Sequence, residues 1–211
     1  MSAPVTLPVT LAPPAASPTG TDLVIPAAVT IDPCRPSSAE FTADDLDLVA
    51  EDGRRWELIG GMLVVSPSPR SIHQVVVVNL LLRLMQARPL GFQVLVGPFD
   101  VRVDERTKLQ PDVLVMRPEQ VGETFTDAPP PLVVEVISPG SRAYDLGTKK
   151  LIYAAFGVPS YWVVDPVTPS VTVFGLEGDA YVEGTVAVGA EPVRATAPFE
   201  VSFTPDELVR P

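Results

Sequence analysis

The stretch PLVVEVISPGSRAYDLGTKK, residues 131–150, sets one carboxylate, Glu135, inside an apolar run that is typical of a strand. Side chains alternate between faces along a strand, so Glu135 shares its face with Val133 and Ile137, and the opposite face is apolar as well. Apolar residues on both faces indicate a central strand that is covered on each side. A carboxylate there is costly unless it is paired or holds a cation. The alternative is a strand end or sheet edge, where water would reach Glu135.

The runs on either side of this stretch predict one central sheet. Strand-like patterns occur in FQVLV, FDVRV, PDVLVM, YWVVD, SVTVFGL and YVEGTVAV, and WELIGGMLVV is typical of a hairpin that turns at Gly60 and Gly61. Helical spacing extends over residues 71–88 and 144–156, TADD predicts a short helix from Thr42 through Ala50, and DERTK is expected to be a turn. This order predicts a mixed α/β (α+β) domain with an N-terminal hairpin and a C-terminal hairpin.

Composition limits the chemistry. The chain has 211 residues, and we predict a disordered Pro/Ala-rich tail at 1–40 followed by one folded domain at 41–211. Cys34 is the only cysteine and His73 the only histidine, which excludes an internal disulfide and a zinc site built from Cys and His. Carboxylates, lysines or hydroxyls must therefore carry any catalysis. The formal charge of −11 argues against a protein that coats nucleic acid and, less strongly, against a nuclease.

No membrane association is expected, and we predict a cytoplasmic protein. The longest apolar run, residues 75–84, is interrupted by Asn79 and Arg83 and falls short of a membrane span. The N-terminus has no basic residue before its apolar part, so it is not typical of a signal peptide.

Two further sets of residues are predicted to lie close to Glu135. Asp112 begins a predicted strand directly after a proline, and the alternative is that it caps a turn. If its strand lies beside that of Glu135, the two carboxylates would repel each other, and a divalent cation would offset that repulsion. Asp145, Lys149 and Tyr153 share one helix face, where a surface Asp–Lys pair is the alternative. The short SPGSR connection starts this helix close to the end of the Glu135 strand, which would let Lys149 point toward the carboxylates.

Together these motifs resemble the Uma-two family, a branch of the restriction-endonuclease-like PD-(D/E)XK superfamily. The matching segments are Pro111-Asp112, Glu135-Val136-Ile137-Ser138, Tyr144 to Tyr153 and Gly157 to Pro166, and WELIGGMLVVSPSP followed by His73 is similar to the family's start. The resemblance extends over about residues 41–205. It implies a restriction-endonuclease-like fold: a mixed central sheet flanked by helices, with a metal site at a fork between strands.

The resemblance also implies an activity, the hydrolysis of phosphodiester bonds in nucleic acid by a metal-dependent endonuclease, with DNA as the expected substrate. Asp112 and Glu135 would bind Mg²⁺, or Mn²⁺, with help from the Val136 carbonyl, and Lys149 would be the catalytic lysine. The superfamily's usual lysine lies two residues after the glutamate, where this chain has Ile137, so the lysine has moved to the helix. The metal would polarise the phosphate and lower the pKa of a bound water.

Other residues have weaker roles in this interpretation. Asp145 would add a metal ligand or hold the catalytic lysine in position, and Lys150 would face solvent or a substrate phosphate. Glu57 aligns with a glutamate typical of the family, and it either approaches the metal or is an exposed member of an alternating strand. His73 either contacts a phosphate or the metal's water, or is structural or exposed. The aromatic residues predicted to serve the core are Tyr161 and Trp162.

Other functions stay open. A catalytically inactive nucleic-acid-binding or protein-interaction module on the same fold is favoured by the negative charge and the sparse basic residues. A Ser–His–Asp hydrolase would need His73 as its base, but the sequence has no G-x-S-x-G elbow. Cutting two strands suggests a homodimer by analogy, although the sequence shows neither a heptad nor an obvious interface stripe, and it has no recognisable DNA-reading motif.

Overall fold

The computed structural model describes residues 41–47, 54–66 and 68–210. The predicted tail at 1–40, with Cys34, lies outside these residues, and so does the end of the predicted first helix at 48–50. The described residues form two compact units. The first contains the described residues up to Ser68 together with Asp104–Lys108, and the second contains Pro69–Val103 and the described residues from Leu109 onward.

The first unit is a hairpin with a short helix. Strands β1 (Arg55–Ile59) and β2 (Met62–Ser66) are antiparallel and turn, as predicted, at Gly60 and Gly61, whose φ angles of 56° and 83° suit glycine. Helix α1 (Ala43–Asp47) is capped by Thr42, whose Oγ1 accepts a hydrogen bond of 3.2 Å from the Asp45 amide. The core of this unit consists of Ala43, Leu46, Trp56, Leu58 and Leu63.

The segment DERTK contains a shorter turn than the sequence predicts. The turn is confined to Glu105 and Arg106, and strand β5 (Thr107–Leu109) follows at once. Lys108 pairs with Leu58 of β1, and its buried Nζ donates to Asp47 Oδ1. Pairing with the hairpin therefore extends the strand into a segment whose composition favours a turn.

A six-stranded mixed sheet forms the centre of the second unit. Its strands are β3 (Gln93–Val96), β6 (Val113–Met116), β8 (Leu132–Val136), β9 (Ser160–Asp165), β10 (Ser170–Glu177) and β11 (Ala180–Val188). The spatial order is β11-β10-β9-β8-β6-β3, in which β8 is parallel to β9 and antiparallel to β6. Strand β8, which carries Glu135, is therefore a central strand with a neighbour on each side.

Helices cover this sheet. Helix α2 (Ser71–Ala87) packs its buried residues Val76, Val77, Leu80 and Leu84 into one core with Val113, Val134 and Trp162 of the sheet. Residues 142–156 form one helical run in three parts: α3 (Arg142–Tyr144), a π-helical turn (Asp145–Lys149) and α4 (Lys150–Phe156). Four consecutive valines in α2 are poor helix formers, so burial of its apolar face stabilises the helix.

Several short elements of the second unit were not predicted. They are β12 (Val193–Ala195) with β13 (Val201–Phe203), helix α5 (Pro205–Leu208), a 3₁₀ turn (Pro118–Gln120), and β7 (Phe125–Thr126), which pairs in parallel with β4 (Asp100–Asp104), the strand predicted at FDVRV. The predicted C-terminal hairpin is present as β10 and β11, but further elements follow it. Within the described residues, no helix has the length and apolar character needed to span a membrane.

Candidate active site

Asp112, directly before β6, lies opposite Glu135 of β8. Val113 of β6 pairs with Val134 of β8 in the antiparallel register, which places the next residues, Asp112 and Glu135, across from one another. Residues in such positions project from the same face with Cβ atoms about 5 Å apart. Both side chains are buried, at 6% and 2% exposure. The sheet therefore brings two carboxylates together out of water, as the sequence predicts.

Backbone groups fix the position of Asp112. Its Oδ2 accepts a 2.7 Å hydrogen bond from the Val136 amide, and its carbonyl accepts one of 2.9 Å from the Gly97 amide. A Cβ at position 97 would lie 2.8 Å from the Pro111 carbonyl oxygen, so only glycine fits without displacing that backbone. This close approach places Asp112 between two strands, which the sequence alone does not indicate.

The helical run contributes the cation of the site. Lys149 Nζ donates a 3.0 Å hydrogen bond to Glu135 Oε1 and lies 3.6 Å from Asp145 Oδ1. The Tyr153 hydroxyl donates to the same Glu135 oxygen at 3.3 Å. Lys149 and Asp145 are each 3% exposed and Tyr153 is fully buried. A surface Asp–Lys pair is therefore the wrong interpretation, and Lys149 points toward Glu135 as predicted.

The π-helical turn aligns these side chains. In a regular α-helix the side chains of residues 145, 149 and 153 would drift by about 80° around the axis, since each residue turns about 100°. The wider turn from Asp145 to Lys149 rotates less per residue and offsets that drift. All three side chains are buried, while Leu146 between them is 37% exposed. The sequence predicted a common face but not the turn that straightens it.

Tyr161 supports the same turn from the sheet. Its hydroxyl donates a 2.9 Å hydrogen bond to the Asp145 carbonyl, at the first residue of the π-helical turn. Burial, and after it the nearby carboxylates of Glu135 and Asp145, raise the pKa of Tyr161 well above its ordinary value. The phenol therefore stays protonated and keeps donating. Tyr161 and Trp162 are both fully buried, which confirms them as core residues.

Glu135 itself is neither at an edge nor in contact with water. It is 2% exposed in a strand whose five residues are all buried, so the alternative of a wet strand end is wrong. Lys150, the other predicted substrate contact, is half-buried, with its Nζ 3.7 Å from the centre of the Phe174 ring. Its contact with a phosphate stays a prediction.

The two remaining candidates have different surroundings. His73, near the start of α2, has its Nε2 3.1 Å from Asp112 Oδ2, so it adjoins the carboxylate pair. Its contact with a phosphate or a metal-bound water stays a prediction. Glu57 belongs to the first unit, where it is 1% exposed and 3.7 Å from Arg55 Nη2. The alternative of an exposed Glu57 is wrong, and its role as a metal ligand stays a prediction.

The donor set suits a hard divalent cation. Magnesium binds through one or two carboxylates and retains several waters, and Asp112 with Glu135 is such a pair. The three carboxylates of Asp112, Glu135 and Asp145 with the one ammonium of Lys149 leave a formal charge of −2 on four buried side chains. No cluster of three or more His, Cys, Asp or Glu side chains arranged to hold a metal occurs among residues 41–47, 54–66 and 68–210. Any metal here would therefore rely on the carboxylate pair, backbone oxygen and water.

Comparison with known proteins agrees with this fold. A crystal structure at 1.96 Å resolution of a protein from Anabaena variabilis ATCC 29413, described as a putative nuclease belonging to DUF820, aligns with a TM-score of 0.64. The alignment covers 80% of this chain and 97% of that one at 16% sequence identity, so it shows a shared fold. The predicted fold class, a mixed central sheet flanked by helices, is confirmed. No curated protein compared with the chain matches it.

A family model identifies the chain more directly. The model of the family named Uma2, with the description "Putative restriction endonuclease", matches residues 40–206. That range includes both strands of the carboxylate pair and the helical run with Lys149. The family description supports a nuclease. Since the match extends over far more than half of the sequence, the chain belongs to the Uma2 family.

Proposed function

We propose that this chain is a metal-dependent endonuclease that hydrolyses phosphodiester bonds of nucleic acid, with DNA as the substrate. The observation that carries the proposal is the buried pair of Asp112 and Glu135 with Lys149 Nζ 3.0 Å from Glu135. A carboxylate pair and an ammonium at one centre are the groups that phosphodiester hydrolysis needs. The description of the family as restriction endonucleases supports DNA.

Asp112 and Glu135 would hold Mg²⁺ or Mn²⁺, with the Val136 carbonyl as a third oxygen. When bound, the ion would polarise the phosphate and acidify a water molecule. His73 and the Val136 amide keep Asp112 in position through its Oδ2. Tyr153 restrains Glu135 in the same way through Oε1. The chain's contribution at this point is to preorganise the carboxylate oxygens.

Lys149 would stabilise the negative charge that develops on the phosphate. The water oxygen forms a new bond to phosphorus and loses one proton to solvent, the bond to the leaving oxygen breaks, and the leaving oxygen takes up one proton. A buried ammonium acts strongly on such a charge, because water does not screen it. Asp145, 3.6 Å from the ammonium, would hold it in position. Lys150 and His73 are the proposed contacts to the substrate's phosphates.

The alternative is a catalytically inactive module that binds nucleic acid or protein. One observation favours it: Glu135 Oε1 accepts hydrogen bonds from both Lys149 and Tyr153, so these two groups would compete with a metal for that oxygen. The formal charge of −11 also weakens general affinity for nucleic acid. A cytoplasmic location and a homodimeric assembly stay predictions.

Incubation of the full chain with supercoiled plasmid, single-stranded DNA and RNA separates the two functions. We expect cleavage with Mg²⁺ or Mn²⁺, none with chelator, and loss in Asp112→Asn and Glu135→Gln. Glu183→Gln is the matched control, because Glu183 is an exposed glutamate on β11 of the same sheet. Cleavage that survives Glu135→Gln would rule out the proposed site. Absence of both cleavage and metal binding in the wild type would favour the inactive module.

A further inference from the structure

One side of α2 is apolar and exposed. Val78, Leu82 and Met85 are 51%, 53% and 43% exposed, although the opposite side of the same helix is packed into the core. Together with the half-buried Val75, these residues follow one another at intervals of three, four and three. A surface helix normally has a polar outer face, and this spacing is that of the a and d positions of a coiled coil. We call Val75, Val78, Leu82 and Met85 the α2 stripe.

The α2 stripe was not visible in the sequence. The helix is apolar on nearly all sides between residues 75 and 84, so its letters alone do not separate the residues that face the core from those that face outward. The exposed fraction of each side chain in the structure distinguishes the residues that face the core from those that face outward. Four side chains at the spacing of a and d positions therefore lie on the outer side of the helix.

Helix α2 is a part of the surface where two acidic copies of this chain would repel each other little. The chain has a formal charge of −11, so most surfaces of two copies would repel each other. Helix α2 contains no Asp or Glu in its 17 residues. Its Arg83 has an acidic neighbour in the same chain, with Nη2 3.3 Å from Glu207 Oε1. A partner for such a surface needs an apolar, uncharged face of its own.

The stripe is complementary to itself. Two α2 helices can pack antiparallel about a two-fold axis that crosses them at the level of residue 80, the midpoint of the stripe. Val78 of one copy then faces Leu82 of the other, and Val75 faces Met85. These are the a-to-d pairs of an antiparallel helix pair, and the same residues serve on both sides as a two-fold interface requires. A groove beside the stripe, lined by Asn79, Leu82, Arg83, Gln86 and Glu207, would provide a polar rim.

We propose that the α2 stripe is a self-association surface through which two copies of this chain form a two-fold dimer. Four side chains on one helix bury less area than the roughly 800 Å² per partner of a standard interface, so we expect a weak dimer that forms reversibly as the concentration rises. The proposal does not depend on nuclease activity, because its readout is the mass of the particle.

Sedimentation equilibrium of the full chain, from low micromolar to several hundred micromolar, tests this surface. We expect a reversible monomer–dimer equilibrium in the wild type. Leu82→Glu should raise the dissociation constant by at least about tenfold, since it buries a charge at the centre of the stripe. Leu90→Glu is the matched control: it makes the same substitution at a leucine that is 98% exposed and outside α2, and it should leave the dimer intact.

Leu82→Ala gives a milder second variant in case Leu82→Glu does not fold, and it should weaken the dimer in the same direction. A wild type that stays monomeric at every concentration would overturn the proposal. So would a dimer that Leu82→Glu and Leu82→Ala leave unchanged, because its interface would then lie elsewhere. Equal weakening by Leu90→Glu would show a general charge effect and would also refute it.

Discussion

Replacing Lys149 by methionine should cost far more stability than an ordinary lysine substitution. Lys149 and Glu135 are both less than 5% exposed, and their charged atoms are 3.0 Å apart. Methionine keeps the length of the side chain but leaves Glu135 and Asp145 without their ammonium. Removing one partner of a buried ion pair costs about 3–5 kcal/mol, because the remaining charge stays out of water. We expect a loss of that size in the free energy of unfolding.

Lys150→Met is the control for this prediction. Lys150 is the adjacent residue, but its Nζ lies over the Phe174 ring and not beside a buried carboxylate. Loss of such a contact costs about 1 kcal/mol or less. Urea unfolding at neutral pH with chelator, followed by circular dichroism, measures both variants. The variant Lys149→Met with Glu135→Gln should lose less stability than the sum of the two single changes.

Equal losses of less than about 1 kcal/mol in Lys149→Met and Lys150→Met would contradict a buried ion pair, because they would show that water compensates the Glu135 charge. Strict additivity in the double variant would contradict it as well, since the two side chains would then not interact.

Three further predictions concern the supports of the site and the pH dependence of folding. Gly97→Ala places a Cβ 2.8 Å from the Pro111 carbonyl oxygen and should lower the free energy of unfolding, measured with urea, by about 1–3 kcal/mol. Gly140→Ala is the control, because the atom nearest to its Cβ is 4.0 Å away, and it should have no such effect. Equal effects of the two substitutions would contradict the close approach at Gly97. The pKa of Tyr161 is raised in the folded state, so the free energy of unfolding falls as the pH rises above about 10. Tyr161→Phe should make that fall shallower by about 1.4 kcal/mol per pH unit. An unchanged slope between pH 10 and 12 would argue against a raised pKa at Tyr161. Burial would raise the pKa of Asp165, but hydrogen bonds from Arg142, Val167 and Thr168 outweigh it and lower the pKa. The stabilisation is therefore present above about pH 4 and lost as the pH falls through the folded-state pKa, so Asp165→Asn should lower the melting temperature at pH 7 but hardly at pH 2, and an equal shift at both would refute this.

The carboxylate of the central strand could be predicted from sequence, because its cause is local. Alternating apolar residues around Glu135 indicate burial on both faces, and burial of a carboxylate requires a partner. The spacing of Asp145 and Lys149 likewise follows from the helix period. These inferences need only the chain on either side of each residue, and the structure agrees with them.

The assembly of the site depends on contacts between distant segments. The register of β6 against β8 places Asp112 opposite Glu135, and it cannot be inferred from the sequences of the two strands alone. The close approach at Gly97 depends on the path of a third strand. The π-helical turn differs from an α-helix by a small change in rotation per residue, and it is supported by Tyr161 from β9. Each of these is decided by tertiary packing, as is the exposure that distinguishes the two sides of α2.

The role of Glu135 in metal-dependent cleavage is tested by the rate of plasmid cleavage as a function of Mn²⁺ concentration, for the wild type and for Glu135→Gln. We expect a rate that rises and saturates with the metal in the wild type, returns to zero with chelator, and falls by at least about 100-fold in Glu135→Gln. Cleavage by the wild type that does not depend on metal, or a Glu135→Gln variant with the same rate and the same metal dependence, would contradict it.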